Sequence, residues 1–216
     1  MRTVLCFGDS NTYGTVPLSL GAPGRRYDTA IRWPGQLRAL LGPGWHVVEE
    51  GLPGRTTVHP DPLARSERSG RAMIAAVLET HRPLDAVVLM LGTNDLKVRY
   101  GATASDIGLG VEYVGREILD RSFDRASGPD GAAPHLLVVA PPPLPPNGRF
   151  AQEEPHAAER SLAAVDAIRL AAERLGASFM EAGRHASFSD IDGVHLEKTG
   201  HAALAHAIVD ALKVLG

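Results

Sequence analysis

A chain of 216 residues has room for one α/β core, and two full domains would be cramped. With 44% hydrophobic and 22% charged residues and a formal net charge of -3, it falls among ordinary globular proteins, and its scattered Lys and Arg give no reason to expect nucleic acid or an anionic membrane as partner. The single cysteine, Cys6, excludes an intramolecular disulfide.

The chain opens on Val4-Leu5-Cys6-Phe7, a continuous apolar run that predicts a buried strand with Cys6 as a small core residue. No signal-peptide pattern is seen ahead of it and no apolar run approaches ~18 residues, so a cytoplasmic protein without a membrane partner is expected. Strands are predicted over 3–7, 46–49, 86–91, 136–140 and 178–181. Helical stripes lie between and after them: Trp33, Leu37, Leu40 and Leu41; Met73, Ile74, Val77 and Leu78; Ile107, Val111, Val114 and Ile118; Leu162, Val165 and Ile168; Leu204, Ile208, Leu212 and Leu215. Each stripe is read as core packing. The alternation predicts a single domain over 1–216, a three-layer α/β/α sandwich around a five-stranded, mostly parallel, flavodoxin-like sheet. Sites in such sheets lie at the carboxyl ends of the strands.

Two segments read as irregular. One spans 14–32. The other, 141–155, carries Pro141-Pro142-Pro143-Leu144-Pro145-Pro146 and reads as a stiff loop, either an ordinary crossover, a wall of the site or a subunit contact.

Chemistry-bearing residues fall where strands end. Phe7-Gly8-Asp9-Ser10-Asn11 follows the first strand, and a serine there can present its hydroxyl at the sheet edge, although serine is also a common helix cap. Met90-Leu91-Gly92-Thr93-Asn94-Asp95 follows the third strand. Asn94 can donate to an oxyanion or simply make a turn. Glu50-Gly51-Leu52-Pro53-Gly54-Arg55 follows the second, where the Gly54 N–H is a candidate second donor, a plain turn is the other reading, and Arg55 is expected to pin the loop. Asp9 is expected to order the turn through backbone hydrogen bonds, with an aspartyl-phosphate nucleophile as the sharper alternative. Near the C-terminus, Ser189-Asp190-Ile191-Asp192-Gly193-Val194-His195 places a carboxylate three residues before a histidine. It can hold the imidazole tautomer that leaves one nitrogen free as a base. Spacing favours Asp192 over Asp190. The remaining histidines show no metal-ligand pattern, His201 and His206 lying five apart, so no metal and no cofactor are expected.

With these motifs in this order, the chain resembles the SGNH hydrolases, also called GDSL-type esterases and lipases. Gly8-Asp9-Ser10, with Asn11 where many members carry leucine, matches the first block. Gly51 and the loop to Gly54 correspond to the second, Gly92-Thr93-Asn94-Asp95 to the third, and Asp192-Gly193-Val194-His195 to the fifth. Glu49-Glu50-Gly51-Leu52, Arg55-Thr56-Thr57 and Pro141-Pro142-Pro143-Leu144 make it more similar to the branch of bacterial arylesterases and acyltransferases. The resemblance implies a serine esterase acting on small acyl esters through an acyl-enzyme on Ser10, with acyltransferase or perhydrolase activity in reach. Ser10, Asp192 and His195 would be catalytic, and Ser10, Gly54 and Asn94 would form the oxyanion hole. A deacetylase of carbohydrate or other polar substrates is the alternative, and a non-catalytic binding module is a third reading. Tyr13 and Thr15, where the branch has tryptophans, and Phe150 are candidate pocket residues. The branch forms large homo-oligomers, so an oligomer is implied, an octamer being one form.

Overall fold

The computed structural model describes residues 1–18, 24–120 and 127–213. Leu215, assigned to the last helical stripe, lies outside the described residues. Five strands form one sheet: β1 (Arg2–Gly8), β2 (Trp45–Gly51), β3 (Ala86–Met90), β4 (His135–Ala140) and β5 (Ser178–Glu181). Their order is β2-β1-β3-β4-β5 and every pairing is parallel. The helices are α1 (Ser10–Tyr13), α2 (Trp33–Leu41), α3 (Gly70–His81), α4 (Ala104–Ile118), α5 (Arg149–Glu153), α6 (Ala157–Leu175) and α7 (Lys198–Lys213).

The strand order follows from the crossovers. The chain passes from β1 to β2 in one direction through α2, then returns across β1 and continues the other way through α3, α4 and α6. Right-handed crossovers taken in opposite directions put their helices on opposite faces. Accordingly α7 packs on α2, while α4 packs with α3 and α6. Covered on both faces, β3 and residues Val4–Phe7 of β1 are wholly buried, which is why their sequences are unbroken apolar runs. The direction reverses between β1 and β3, so their carboxyl ends flank an open crevice.

The stripes of α4 and α7 pack inward as expected, and those of α2, α3 and α6 do so only in part. Leu162 is 65% exposed and Leu40 41% exposed, and Met73 and Val77 are only half-buried. The buried face of α6 is instead built from Ala157, Ser161, Ala164, Ile168, Ala171 and Ala172. These small residues suit the close approach of α4, where any side chain on Gly108 would strike the backbone of Ala167. The Pro-rich segment also departs from a plain loop. It contains α5, and Leu144 is buried, its N–H donating to Ser161 Oγ at 2.9 Å. Among the described residues no helix is long and apolar enough to cross a membrane.

Candidate active site

Ser10 is the first residue of α1, directly after β1. The capping role that a serine could have filled here belongs to Asp9, whose Oδ1 accepts the Asn11 N–H at 2.9 Å. The Ser10 hydroxyl is therefore left for another partner, and that partner is His195. Its Nε2 lies 3.1 Å from Ser10 Oγ, across 185 residues of sequence.

His195 sits on a tight loop closed by the Gly193 N–H donating to Ser189 O and the Ser189 N–H donating to His195 O, each at 2.8 Å. This loop turns Asp192 back onto the imidazole. Asp192 Oδ2 lies 2.7 Å from His195 Nδ1 and also accepts the Leu18 N–H at 2.7 Å, while Oδ1 accepts the N–H groups of Val194 and His195 at 3.1 and 3.0 Å. Burial opposes ionisation of Asp192, but the His195 hydrogen bond and charge and the backbone donors outweigh it and hold the carboxyl down at about 2. An ionised carboxylate only accepts, so Nδ1 carries the proton and Nε2 is left as the acceptor for the serine hydroxyl. Asp190, the rival by sequence, is exposed.

The second-strand loop is set by Arg55. Its guanidinium is buried over the Phe7 ring, 4.0 Å from the ring centre, and donates to Gly8 O at 2.9 Å and to Glu50 O. It pins the loop and does not line the cavity. Gly54 takes a φ of 81°, a left-handed conformation that other residues adopt only at a cost. Among the described residues neither the Ser10 nor the Gly54 backbone N–H has an acceptor. The Asn94 amide donates to Arg55 O at 3.1 Å and makes a longer contact of 3.4 Å to Asp9 Oδ2.

Behind Asn94 lies Asp95, fully buried, accepting the Thr57 N–H and, at 2.5 Å, the Thr57 hydroxyl. Burial pushes its carboxyl up to about 7 against the pull of the Thr57 hydrogen bonds, with the nearby Asp9 charge adding to the rise. Asp9 itself is pushed up to about 6, again chiefly by burial. A raised acid stabilises the fold most below its unfolded pKa, near 4, and that stability is lost as pH rises through the folded value. The stability advantage of the native chain over Asp95→Asn is therefore expected to narrow by on the order of 2–4 kcal/mol between pH 5 and pH 8. Urea denaturation at both pH values measures it, and an equal gap at both contradicts the assignment.

Ser10, His195, Asp192, Asn94 and Gly54 all line one cavity of about 530 Å³, together with Tyr13, Thr15 and Phe150. Every site residue proposed from the sequence is thus brought to one place. The Phe150 N–H donates to Asp192 O at 3.2 Å, tying the Pro-rich segment to the histidine loop. Sequence reasoning missed Leu18, Arg25, Lys97, Arg149 and Val194, which also line the cavity. Lys97 follows Asn94 by three residues and was within reach of the motif. Leu18 and Arg25 arrive through a loop and Arg149 at the start of α5, and neither segment carries a motif. Among the described residues no group of three or more His, Cys, Asp or Glu is arranged to hold a metal ion.

The profile of the GDSL-like Lipase/Acylhydrolase family matches residues 6–203. Among solved structures, the chain is similar to the native aryl esterase of M. smegmatis, with 34% identity, a TM-score of 0.91 and 100% of each chain covered. It is similar to a carbohydrate acetylesterase from Sinorhizobium meliloti, with 36% identity, a TM-score of 0.91 and 100% of each chain covered. No curated protein sequence matches the chain significantly.

Proposed function

Because the chain belongs to the GDSL-like lipase/acylhydrolase family and is a carboxylic ester hydrolase, we propose that it cleaves small acyl esters through an acyl-enzyme on Ser10. The observation that carries this reading is the continuous line from Asp192 through His195 to Ser10, with contacts of 2.7 and 3.1 Å.

His195 Nε2 takes the hydroxyl proton as Ser10 Oγ bonds to the ester carbonyl carbon. The carbonyl oxygen becomes an oxyanion, received by the N–H groups of Ser10 and Gly54 and by the Asn94 amide, which gives up its long contact to Asp9. The carbon–oxygen bond to the alcohol then breaks and His195 returns the proton to the leaving oxygen. Water, deprotonated by the same nitrogen, attacks the acyl-enzyme and frees Ser10. An alcohol or hydrogen peroxide replaces water when transfer occurs. Asn94→Ala is expected to lower kcat for p-nitrophenyl acetate by roughly 10²–10³-fold with little change in KM. Steady-state kinetics on the folded variant test it, and a loss under about threefold removes Asn94 from the oxyanion hole.

A cavity of about 530 Å³ accommodates short acyl groups. A second reading is favoured by its rim. Arg25, Lys97, Arg149 and Glu153 line the cavity beside Leu18 and Phe150, and such a mixed polar surface suits an acetylated carbohydrate. The similar Sinorhizobium meliloti protein is a carbohydrate acetylesterase. Acetylated sugars assayed beside aryl acetates decide between the two. A homo-oligomer is part of the proposal, supported by exposed Leu162 beside a groove lined by Pro143, Pro146 and Ala158. Sedimentation as a monomer at micromolar concentration contradicts it.

A further inference from the structure

Asn11 follows the serine directly and is 3% exposed. Its side-chain amide makes two long-range hydrogen bonds. Nδ2 donates to Val194 O at 3.0 Å, and Oδ1 accepts the Leu196 N–H at 2.9 Å. The residue between those two partners is His195. We propose that Asn11 is a positioning residue, clamping the backbone on both sides of the general base so that the base keeps its register with the nucleophile one residue away. The proposal rests on the reading of Ser10 and His195 given above.

A primary amide carries a donor and an acceptor fixed in one plane, as a peptide unit does. A neighbouring parallel strand grips a residue in the same way, through the C=O of the residue before it and the N–H of the residue after it. Asn11 supplies that grip from a side chain. Leucine in its place can make neither bond, and aspartate can make only the one to Leu196.

The other anchors of His195 act elsewhere. Asp192 Oδ2 holds the ring, Asp192 Oδ1 takes the N–H groups of Val194 and His195, and Ser189 donates to His195 O. All of these belong to the loop itself and fix its shape, while the Leu18 and Phe150 N–H groups, donating to Asp192 Oδ2 and Asp192 O, tie the Asp192 end of the loop to two other segments. The Asn11 bonds link the loop to the end of β1, where the nucleophile stands. Without them the loop retains its internal turn and its ties at Asp192, but its His195 end can shift relative to Ser10 Oγ. Displacements on the order of 1 Å at reacting groups cost about 10²-fold in rate.

The test compares Asn11→Leu, Asn11→Asp and His195→Ala in p-nitrophenyl acetate hydrolysis, with circular dichroism reporting folding. Asn11→Leu is expected to lower kcat by about 10–100-fold and leave KM within about threefold. Asn11→Asp keeps the acceptor for Leu196, turns a carboxylate oxygen toward Val194 O and adds a negative charge beside the imidazole. Its kcat is expected to fall at least about fivefold, with the acid limb of kcat/KM moved to higher pH, because the new charge favours the imidazolium. A purely structural asparagine moves melting temperature without lowering kcat in the folded variant. A folded Asn11→Leu with kcat within about twofold of the native value overturns the proposal. If that variant does not fold, an Asn11→Asp enzyme with native kcat on its pH plateau overturns it. His195→Ala separates the two layers: if it retains activity, the catalytic reading itself fails, whereas an inactive His195→Ala beside a native-like Asn11 variant removes only the positioning role.

Discussion

Replacing Ser10 with alanine is expected to lower kcat for p-nitrophenyl acetate by ~10⁴–10⁶-fold while the chain stays folded. The size follows from the role. Without Oγ there is no atom to accept the acyl group, and the remaining donors can only assist direct attack by water. The fold has little dependence on this hydroxyl. Its hydrogen-bond partner is His195, Asp9 caps α1, and the site of the change is open to a cavity, so neither a core void nor an unpaired buried group of any size is created. Near-native turnover in a folded Ser10→Ala enzyme would place the chemistry elsewhere.

Asp192→Asn is expected to lower kcat by about 10³–10⁴-fold. An amide in place of the carboxylate no longer stabilises the imidazolium formed when His195 takes the serine proton. It can also turn its NH₂ toward Nδ1, which forces the proton onto Nε2 and removes the acceptor from Ser10. A further cost falls on the loop, because both Asp192 oxygens accept backbone N–H groups, of Leu18 on one side and of Val194 and His195 on the other. The carboxyl is held down at about 2, so its ionised form contributes stability above the unfolded pKa near 4, and that contribution is lost as pH falls through 2. Activity measured at pH 7 on variant that is folded by circular dichroism isolates the catalytic part. A loss below about tenfold would show that Asp192 does not set the tautomer.

The candidate site was legible where chemistry coincides with strand ends. Ser10, Gly54 and Asn94 follow the three adjacent strands β1, β2 and β3 in turn, and Asp192 and His195 share one short loop. The two deeply buried strands were legible as well, because cover on both faces demands an unbroken apolar run. Leu162 misled because helical spacing identifies a face without saying which face is buried. On α6 the buried face is made of alanines that a hydrophobic stripe does not reveal, and its position is set by the close contact with Gly108 of α4. α5 was invisible because five residues within a Pro-rich segment carry too little periodicity to register. The Asn11 bonds to Val194 and Leu196 join residues more than 180 positions apart, so only the folded chain displays them.

The central claim is that Ser10 carries the acyl group, and covalent trapping tests it most directly. The native enzyme treated with diethyl p-nitrophenyl phosphate and digested for mass spectrometry is expected to carry one diethylphosphoryl group on Ser10, accumulating in step with loss of esterase activity, and Ser10→Ala is expected to carry none. Complete inactivation with Ser10 unmodified, or an equal adduct on the alanine variant, would contradict the account.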